Sequence, residues 1–131
     1  MNKVLFVCVH NSGRSQMAEA FYNKLAKGHG KAISVGTNPA SAVNPTVVKI
    51  MKEVGIDISG NKPRLLTPDL IDQVSLVVTM GCSSEGVCPA NWIDTQDWQV
   101  EDPKDKSIET VREIRDEIRA RVIELLNRIG S

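Results

Sequence analysis

Three cysteines, an arginine and an aspartate suggest the chemistry of this sequence of 131 residues. Cys8 ends an apolar stretch, and Arg14 follows six positions later, after small and polar residues. A thiolate attacks electrophiles, and a guanidinium can hold two oxygens of a tetrahedral anion. Cys82, Cys88 and Asp102 lie further along the chain, and they have the groups that thiol exchange and acid catalysis require. The sequence therefore predicts an oxyanion site with a nucleophilic sulfur.

The segment that begins at Cys8 predicts a cradle for this anion. A loop between a strand and a helix can turn successive backbone N–H groups inward, and the helix adds positive potential at its N-terminus. Helix N-termini also favour the thiolate form of cysteine, so we expect Cys8 to be the nucleophile. The residues that we assign to the oxyanion cradle are Val9, His10, Asn11, Ser12, Gly13, Arg14 and Ser15.

Individual residues of the loop have separate predicted tasks. Ser15 is placed to donate a hydrogen bond to the sulfur of Cys8, Asn11 suits a left-handed turn, and Gly13 allows backbone geometry that other residues resist. The Cys-x5-Arg spacing alone is weak, because a buried cysteine that closes a strand is usually a small hydrophobic residue. The strand before the loop and the helix after it favour the catalytic interpretation.

Apolar strands alternate with amphipathic helices along the chain. This order predicts an α/β fold, a three-layer sandwich with a central parallel sheet of about four strands. In such sheets the ligand lies beyond the carboxyl ends of the strands, where Cys8 and Cys82 fall. The predicted strands are Lys3–Val9, Lys31–Gly36 and Ser75–Met80. The predicted helices are Ser15 to about Lys27, one that Asn44 caps, Pro45 begins and Gly55 stops, a short one from Thr67 and Pro68, and about Ile108 to Ile129.

The composition is that of a globular protein, with 41% hydrophobic and 24% charged residues. The formal net charge is zero, so nucleic acids and membrane surfaces are not expected partners. No apolar run approaches membrane-spanning length, and no targeting segment is evident. We expect residues 1–131 to form a single domain, a monomer in the cytoplasm, where cysteines stay reduced. No cofactor is expected.

The sequence resembles the low-molecular-weight protein tyrosine phosphatase fold, and within it the arsenate reductases of the thioredoxin-coupled type. The likeness covers nearly the whole chain and is poorest over Lys62–Asp69. It implies that Asp102, in an Asp-Pro pair, is the acid that protonates the departing oxygen. The segments that carry it are VLFVCVHNSGRSQMAEA, VNPTVVKIMKEVGIDISG, SLVVTMGC, the CP at Cys88, DWQVEDP and VREIRDEI.

The resemblance also implies a relay of three thiols. Cys8 attacks arsenate, Cys82 attacks the sulfur of Cys8 and releases arsenite, and Cys88 then attacks Cys82. Thioredoxin would reduce the final disulfide, and phosphate or sulfate would bind as analogues of arsenate. In this chain Gly81 precedes Cys82, and the interval to Cys88 is one residue shorter than in similar reductases. The reductant is therefore left open between thioredoxin, glutaredoxin and a low-molecular-weight thiol.

Two other functions remain open on the sequence alone. A tyrosine phosphatase would use Cys8, Arg14 and Asp102 and would need no further thiol. The stretch EDPKDKS, however, has none of the aromatic residues that hold a phenyl ring. A thiol protein that senses arsenite would bind it across three cysteines, but it would need neither Arg14 nor Asp102. The alternative interpretation of Cys82 and Cys88 is two unrelated free thiols.

A last implication of the resemblance concerns a metal. Some relatives bind a potassium ion through residues matching Asn11, Glu19 and Ser34, with an acidic residue near position 64. This chain has Lys62 and Arg64 in that region. We therefore expect a side-chain cation to face Glu19 in place of the metal, and we predict no metal site.

Overall fold

A parallel sheet of four strands is the centre of the computed structural model, which describes residues 2–80 and 95–129. The strands are β1 (Asn2–Cys8), β2 (Gly30–Gly36), β3 (Leu76–Thr79) and β4 (Thr95–Asp97), in the spatial order β2-β1-β3-β4. The helices in the described ranges are α1 (Arg14–Leu25), α2 (Pro45–Glu53), α3 (Pro68–Asp72) and α4 (Ile108–Ile129). No helix within these ranges is long and apolar enough to cross a membrane.

Strand β1 divides the core into two apolar layers because its side chains alternate between the faces of the sheet. Val4, Phe6 and Cys8 pack in the cluster that includes residues of α1, α2 and α4. Leu5 and Val7 pack on the opposite face, where α3 contributes partly buried residues. Helices therefore cover both faces of the sheet. The predicted three-layer α/β sandwich with a parallel sheet is confirmed.

Helices α2 and α4 follow from local sequence signals. Asn44 caps α2, its side-chain oxygen accepting the backbone N–H of Thr46 at 2.9 Å, and Pro45 occupies the first turn. Helix α4 has the predicted bounds, and the buried positions of its apolar stripe recur every three or four residues. These buried positions are Val111, Ile114, Ile118, Val122 and Leu125.

The observed strands β1–β3 have bounds within one residue of the predicted ones, and the structure differs more at β4 and α1. Strand β4, Thr95–Asp97, has three residues and no apolar run, so the pattern does not locate it. Helix α1 ends at Leu25, two residues before the predicted end. Lys27 has a φ of 51°, in the left-handed region that a continuing α-helix excludes.

Candidate active site

The loop between β1 and α1 lies at the carboxyl end of the sheet, and its carbonyl groups point outward. Every backbone carbonyl from Cys8 to Gly13 accepts a hydrogen bond from a donor outside the loop's concave face. The pairs are Cys8 O with Thr37 N (3.1 Å), Val9 O with Asn38 N (2.8 Å), His10 O with Ala40 N (2.9 Å), Asn11 O with Gln16 Nε2 (3.2 Å), Ser12 O with Asn44 N (2.8 Å) and Gly13 O with Met17 N (3.0 Å).

This outward direction fixes the opposite direction of the N–H groups. In a planar trans peptide the N–H of one residue points away from the carbonyl of the residue before it. The N–H groups that follow these carbonyls therefore converge on the concave side, and that of Asn11 reaches Cys8 Sγ at 3.2 Å. Such a nest of amides at a helix N-terminus is suited to an anion.

Cys8 forms the floor of this nest. It is a free cysteine with 2% of its surface exposed. Its Sγ lies 2.8 Å from the hydroxyl oxygen of Ser15. The side chain of Asn11 donates from Nδ2 to that same oxygen at 2.7 Å, so the single hydroxyl proton of Ser15 is free to point at the sulfur. Two hydrogen-bond donors, the N–H of Asn11 and the hydroxyl of Ser15, thus reach the sulfur of Cys8.

Buried amide side chains hold the loop in shape. Asn11 has a φ of 50°, the left-handed conformation that the sequence suggested for it. Its Oδ1 accepts Nε2 of Gln16 at 3.1 Å and the backbone N–H of Arg64 at 2.9 Å. Gln16, 2% exposed, also accepts Nδ2 of Asn61 at 3.2 Å. These bonds fix the orientation of the Asn11 amide, and with it the bond to Ser15.

Arg14 projects from the first turn of α1 toward a loop from the other end of the chain. Its side chain is 7% exposed, and Nη1 donates to the carbonyl of Val100 at 3.2 Å. Its Nη2 lies 3.7 Å from Oδ2 of Asp102, whose side chain is 46% exposed. Oδ1 of Asp102 accepts the N–H of Lys104 at 3.0 Å. A half-exposed carboxyl group therefore lies beside the guanidinium at the mouth of the nest.

A second charged pair lies behind the loop. Oε1 of Glu19 accepts the N–H of Ser34 at 2.8 Å and is 3.6 Å from Nη1 of Arg64. Burial raises the pKa of Glu19, while the Ser34 hydrogen bond and Arg64 act in the lowering direction. The Arg64 guanidinium faces Glu19, and the backbone N–H of Arg64 donates to Oδ1 of Asn11. These oxygens already have protein donors, so the residues present do not fit a potassium ion.

The structure brings together most of the residues that the sequence predicts for the site. The segment from Cys8 to Ser15 forms one nest, and Asp102 reaches it through Arg14. Val9 and His10 contribute backbone carbonyls to its outer frame. Cys82 and Cys88 lie outside the described residues.

Sequence reasoning missed the supporting residues. Gln16 and Asn61 bond to each other across 45 positions. The donors at 37–44 come from the segment after β2 and are also far along the chain from the loop that they frame. At Gly13 the structure adds a reason for glycine that the sequence did not indicate. A Cβ there would meet Pro103 Cγ at 2.7 Å.

The rim of the nest opens into a groove of about 390 Å³. His10, Ser12 and Lys104 line one part of it, and the segment 40–45 lines the rest, mostly with small and aliphatic residues. No Phe, Tyr or Trp side chain is among these lining residues.

Comparison with known proteins agrees with this geometry. Residues 3–131 match the low molecular weight phosphotyrosine protein phosphatase family. The chain belongs to this family. Within the family, a putative arsenate reductase of Halobacterium salinarum is 41% identical over 127 residues, covering 93% of this chain and 89% of that protein. A glutaredoxin arsenate reductase of Synechocystis sp. is 39% identical over 134 residues, and this match covers 99% of this chain and 100% of that protein.

Solved structures of the phosphatase family have the same architecture. An arsenate reductase in a phosphate-binding state superposes with a TM-score of 0.88 at 40% identity, covering 98% of this chain and 99% of the other. An arginine phosphatase from Geobacillus stearothermophilus superposes with a TM-score of 0.87 at 24% identity, covering 98% and 93%. At that identity the second likeness shows the fold alone.

Proposed function

We propose that the protein is an arsenate reductase that converts arsenate to arsenite through Cys8, Cys82 and Cys88. The observation that carries this proposal is the similarity, over nearly the full length of both chains, to proteins named arsenate reductases. The nest around Cys8 supports it, because phosphate and arsenate are tetrahedral anions of the same charge type. A phosphatase needs only the nest and its acid, whereas a reductase also needs thiols that donate two electrons to arsenic and form a disulfide.

The first step forms a bond between sulfur and arsenic. The Cys8 thiolate, supported by Asn11 N–H and Ser15 Oγ, attacks arsenic(V) while the amides and Arg14 hold the remaining oxygens. One arsenic–oxygen bond breaks, and Asp102 donates a proton to the departing oxygen, which leaves as water. A positioned acid accelerates such a step by about 10²–10⁴-fold. Asp102 is suited to this role because Arg14 places its carboxyl at the mouth of the nest.

The next steps transfer two electrons. Cys82 thiolate attacks Cys8 Sγ, a disulfide forms, and the pair of the sulfur–arsenic bond passes to arsenic, which leaves as arsenite. Cys88 thiolate then attacks Cys82, and Cys8 departs as a thiolate. Arsenic(V) has become arsenic(III), and two cysteine thiols have become one disulfide. An external thiol donor then reduces the Cys82–Cys88 bridge and is itself oxidised. This donor is thioredoxin, glutaredoxin or a low-molecular-weight thiol.

The alternative is a phosphatase that uses Cys8, Arg14 and Asp102 and completes its cycle with water. The nest favours this function as much as reduction, so we expect a slow phosphatase side activity. The groove at the rim argues against an aryl phosphate as the main substrate. Its lining residues include Lys104 and small side chains but no Phe, Tyr or Trp ring to hold a phenyl group.

The proposal is tested by trapping the enzyme after one turnover. Reduced protein is mixed with arsenate without a thiol donor, alkylated, digested and analysed by mass spectrometry. We expect a Cys82–Cys88 disulfide, one arsenite released per protein and free Cys8. Cys82→Ser should stop at the Cys8–arsenic adduct, and Cys88→Ser should retain a Cys8–Cys82 bridge. Unbridged thiols together with full hydrolysis of para-nitrophenyl phosphate would support the phosphatase instead.

A further inference from the structure

The acid-bearing loop, residues 100–104, lies against the nest at a point where the nest has no side chain. An ideal Cβ at Gly13 would lie 2.7 Å from Cγ of Pro103 and 3.5 Å from its Cδ. Real Cβ atoms essentially never come closer than 3.0 Å to another heavy atom. The contact therefore requires glycine at this position as the structure stands.

Pro103 is the buried residue of an otherwise exposed stretch. Glu101 and Lys104 are exposed and Asp102 is half-buried, but Pro103 is buried. The ideal Cβ position at Gly13 is also 3.6 Å from Cγ2 of Val47, so α2 borders this position as well. A proline ring is bonded to its own backbone nitrogen and cannot rotate away as an ordinary side chain does. Pressure on this ring must therefore move the backbone of the loop.

Two contacts hold the loop on either side of Asp102. Before it, Arg14 Nη1 donates to the carbonyl of Val100 at 3.2 Å, and Val100 is 5% exposed. After it, Pro103 packs on Gly13. The carboxyl group lies between these contacts, with Oδ2 3.7 Å from Arg14 Nη2. Its position relative to the nest is thus set by Gly13 on one side and Arg14 on the other.

We propose that Gly13 and Pro103 are positioning residues, whose contact seats the Asp102 carboxyl at the mouth of the nest. The inference rests on the proposed role of Asp102 as acid. A side chain at position 13 would lift Pro103 and carry Asp102 away from the departing oxygen. The N–H groups and Arg14 would still bind the anion. Replacement of Gly13 should therefore slow the chemical step and leave anion binding unchanged.

The test compares full-length variants in single turnover with arsenate and a dithiol. Gly13→Ala should reduce the rate by about 10-fold or more, a part of the range that an acid contributes, with an unchanged dissociation constant for phosphate. Pro103→Ala removes Cγ and Cδ from the ring, so the Gly13→Ala/Pro103→Ala double variant should recover rate over Gly13→Ala alone. Gly60→Ala is the matched control, because nothing lies within 4 Å of its Cβ position.

A second comparison separates positioning from damage to the nest. In an Asp102→Asn background there is no acid to misplace, so Gly13→Ala should cause no further loss of rate. An equal loss in both backgrounds, or a weakened affinity for phosphate, would overturn the proposal. A wild-type rate for Gly13→Ala would also overturn it. If Gly13→Ala does not fold, Pro103→Ala replaces it, with slower turnover and unchanged phosphate affinity expected.

A structural readout is independent of the reaction. In a crystal structure of Gly13→Ala we expect the Asp102 Oδ2 to Arg14 Nη2 distance to exceed its value of 3.7 Å in the native chain. An unchanged distance would contradict the proposal even if arsenate proved not to be the substrate. Conversely, an inactive wild type with a displaced Asp102 in the variant would refute the proposed function and support the positioning contact.

Discussion

At the scale of single residues, two hydrogen-bond donors reach the sulfur of Cys8, the N–H of Asn11 and the hydroxyl of Ser15. Ser15 Oγ lies 2.8 Å from Sγ and takes its orientation from Asn11 Nδ2. A hydrogen bond to a charged group contributes about 1.5–3 kcal/mol, or roughly 10–100-fold in an equilibrium. We predict that Ser15→Ala lowers the rate of Cys8 alkylation by iodoacetamide at neutral pH by about 10-fold, as measured by mass spectrometry of the Cys8 peptide.

The control for this prediction is Ser59→Ala, at an exposed serine outside the nest. It should leave the alkylation rate of Cys8 unchanged. Equal alkylation rates for Ser15→Ala and wild-type protein would mean that the Asn11 N–H and the remaining amides support the thiolate without the hydroxyl.

Also at this scale, Arg64 is expected to make the enzyme indifferent to potassium. Its guanidinium lies 3.6 Å from Glu19 and supplies the positive charge there. We predict equal turnover in potassium and sodium chloride at fixed ionic strength. Arg64→Ala would leave Glu19 without this partner, and burial already raises the pKa of Glu19. We expect only this variant to change its turnover in response to potassium. Lys62→Ala is the control and should turn over equally in both salts. Activation of the wild type by potassium would contradict the prediction that Arg64 takes the place of the metal.

The sequence predicts the nest but not its supports. Cys8, Asn11, Gly13, Arg14 and Ser15 are close in the chain, so spacing and residue type are enough to group them. The bonds that orient Asn11 come from Gln16 on α1 and from Arg64, 53 positions away. Arg64 is brought near Asn11 only by the crossover connections of the sheet, which no local pattern describes.

At the scale of elements, helices α2 and α4 are joined by a charged cluster. Glu53 accepts Arg112 at 2.7 Å and Arg115 at 3.0 Å, and Arg115 also donates to the carbonyl of Ile50 at 2.9 Å. The hydrogen bond from Arg112, with help from Arg115, lowers the pKa of Glu53 from 4.5 to about 2 against the opposing effect of desolvation. The cluster ties the end of α2 to α4.

This cluster predicts a pH dependence of stability. A carboxyl whose pKa is lower in the folded state stabilises the fold above its unfolded pKa and loses that contribution as pH falls through the folded value. For Glu53 the window runs from 4.5 down to about 2. We predict that Glu53→Gln lowers the melting temperature at pH 7 and that its difference from wild type shrinks across this window. Glu124→Gln, at an exposed pair of 4.0 Å with Arg128, should show a much smaller difference.

Element prediction succeeds where periodicity is long and fails where it is short. Helix α4 has 22 residues and one apolar stripe, which fixes both its type and its bounds. Strand β4 has only Thr95–Asp97, and its place beside β3 comes from pairing, with Val77 opposite Thr95 and Thr79 opposite Asp97. Three residues contain too little pattern to distinguish a strand from a loop.

At the scale of the whole molecule, one site joins the two ends of the chain. Arg14, on the first helix, donates to Val100 and pairs with Asp102 just before the last helix. The nest itself is framed by the segment that leads from β2 to α2. An anion held there is bound by the folded chain and not by the unfolded one, so binding must raise the stability of the entire fold.

This linkage gives the last prediction. At a phosphate or arsenate concentration 100 times the dissociation constant, the free energy of unfolding should rise by about 2.7 kcal/mol, which corresponds to roughly 10 °C in melting temperature for a domain of this size. Arg14→Lys cannot grip two oxygens in one plane, so its ligand-induced shift should be largely lost when each variant is compared with its own ligand-free form. Arg119→Lys, at an exposed position on α4, should keep the full shift. A shift in melting temperature that is equal in Arg14→Lys and wild type would place the bound anion elsewhere than in the nest.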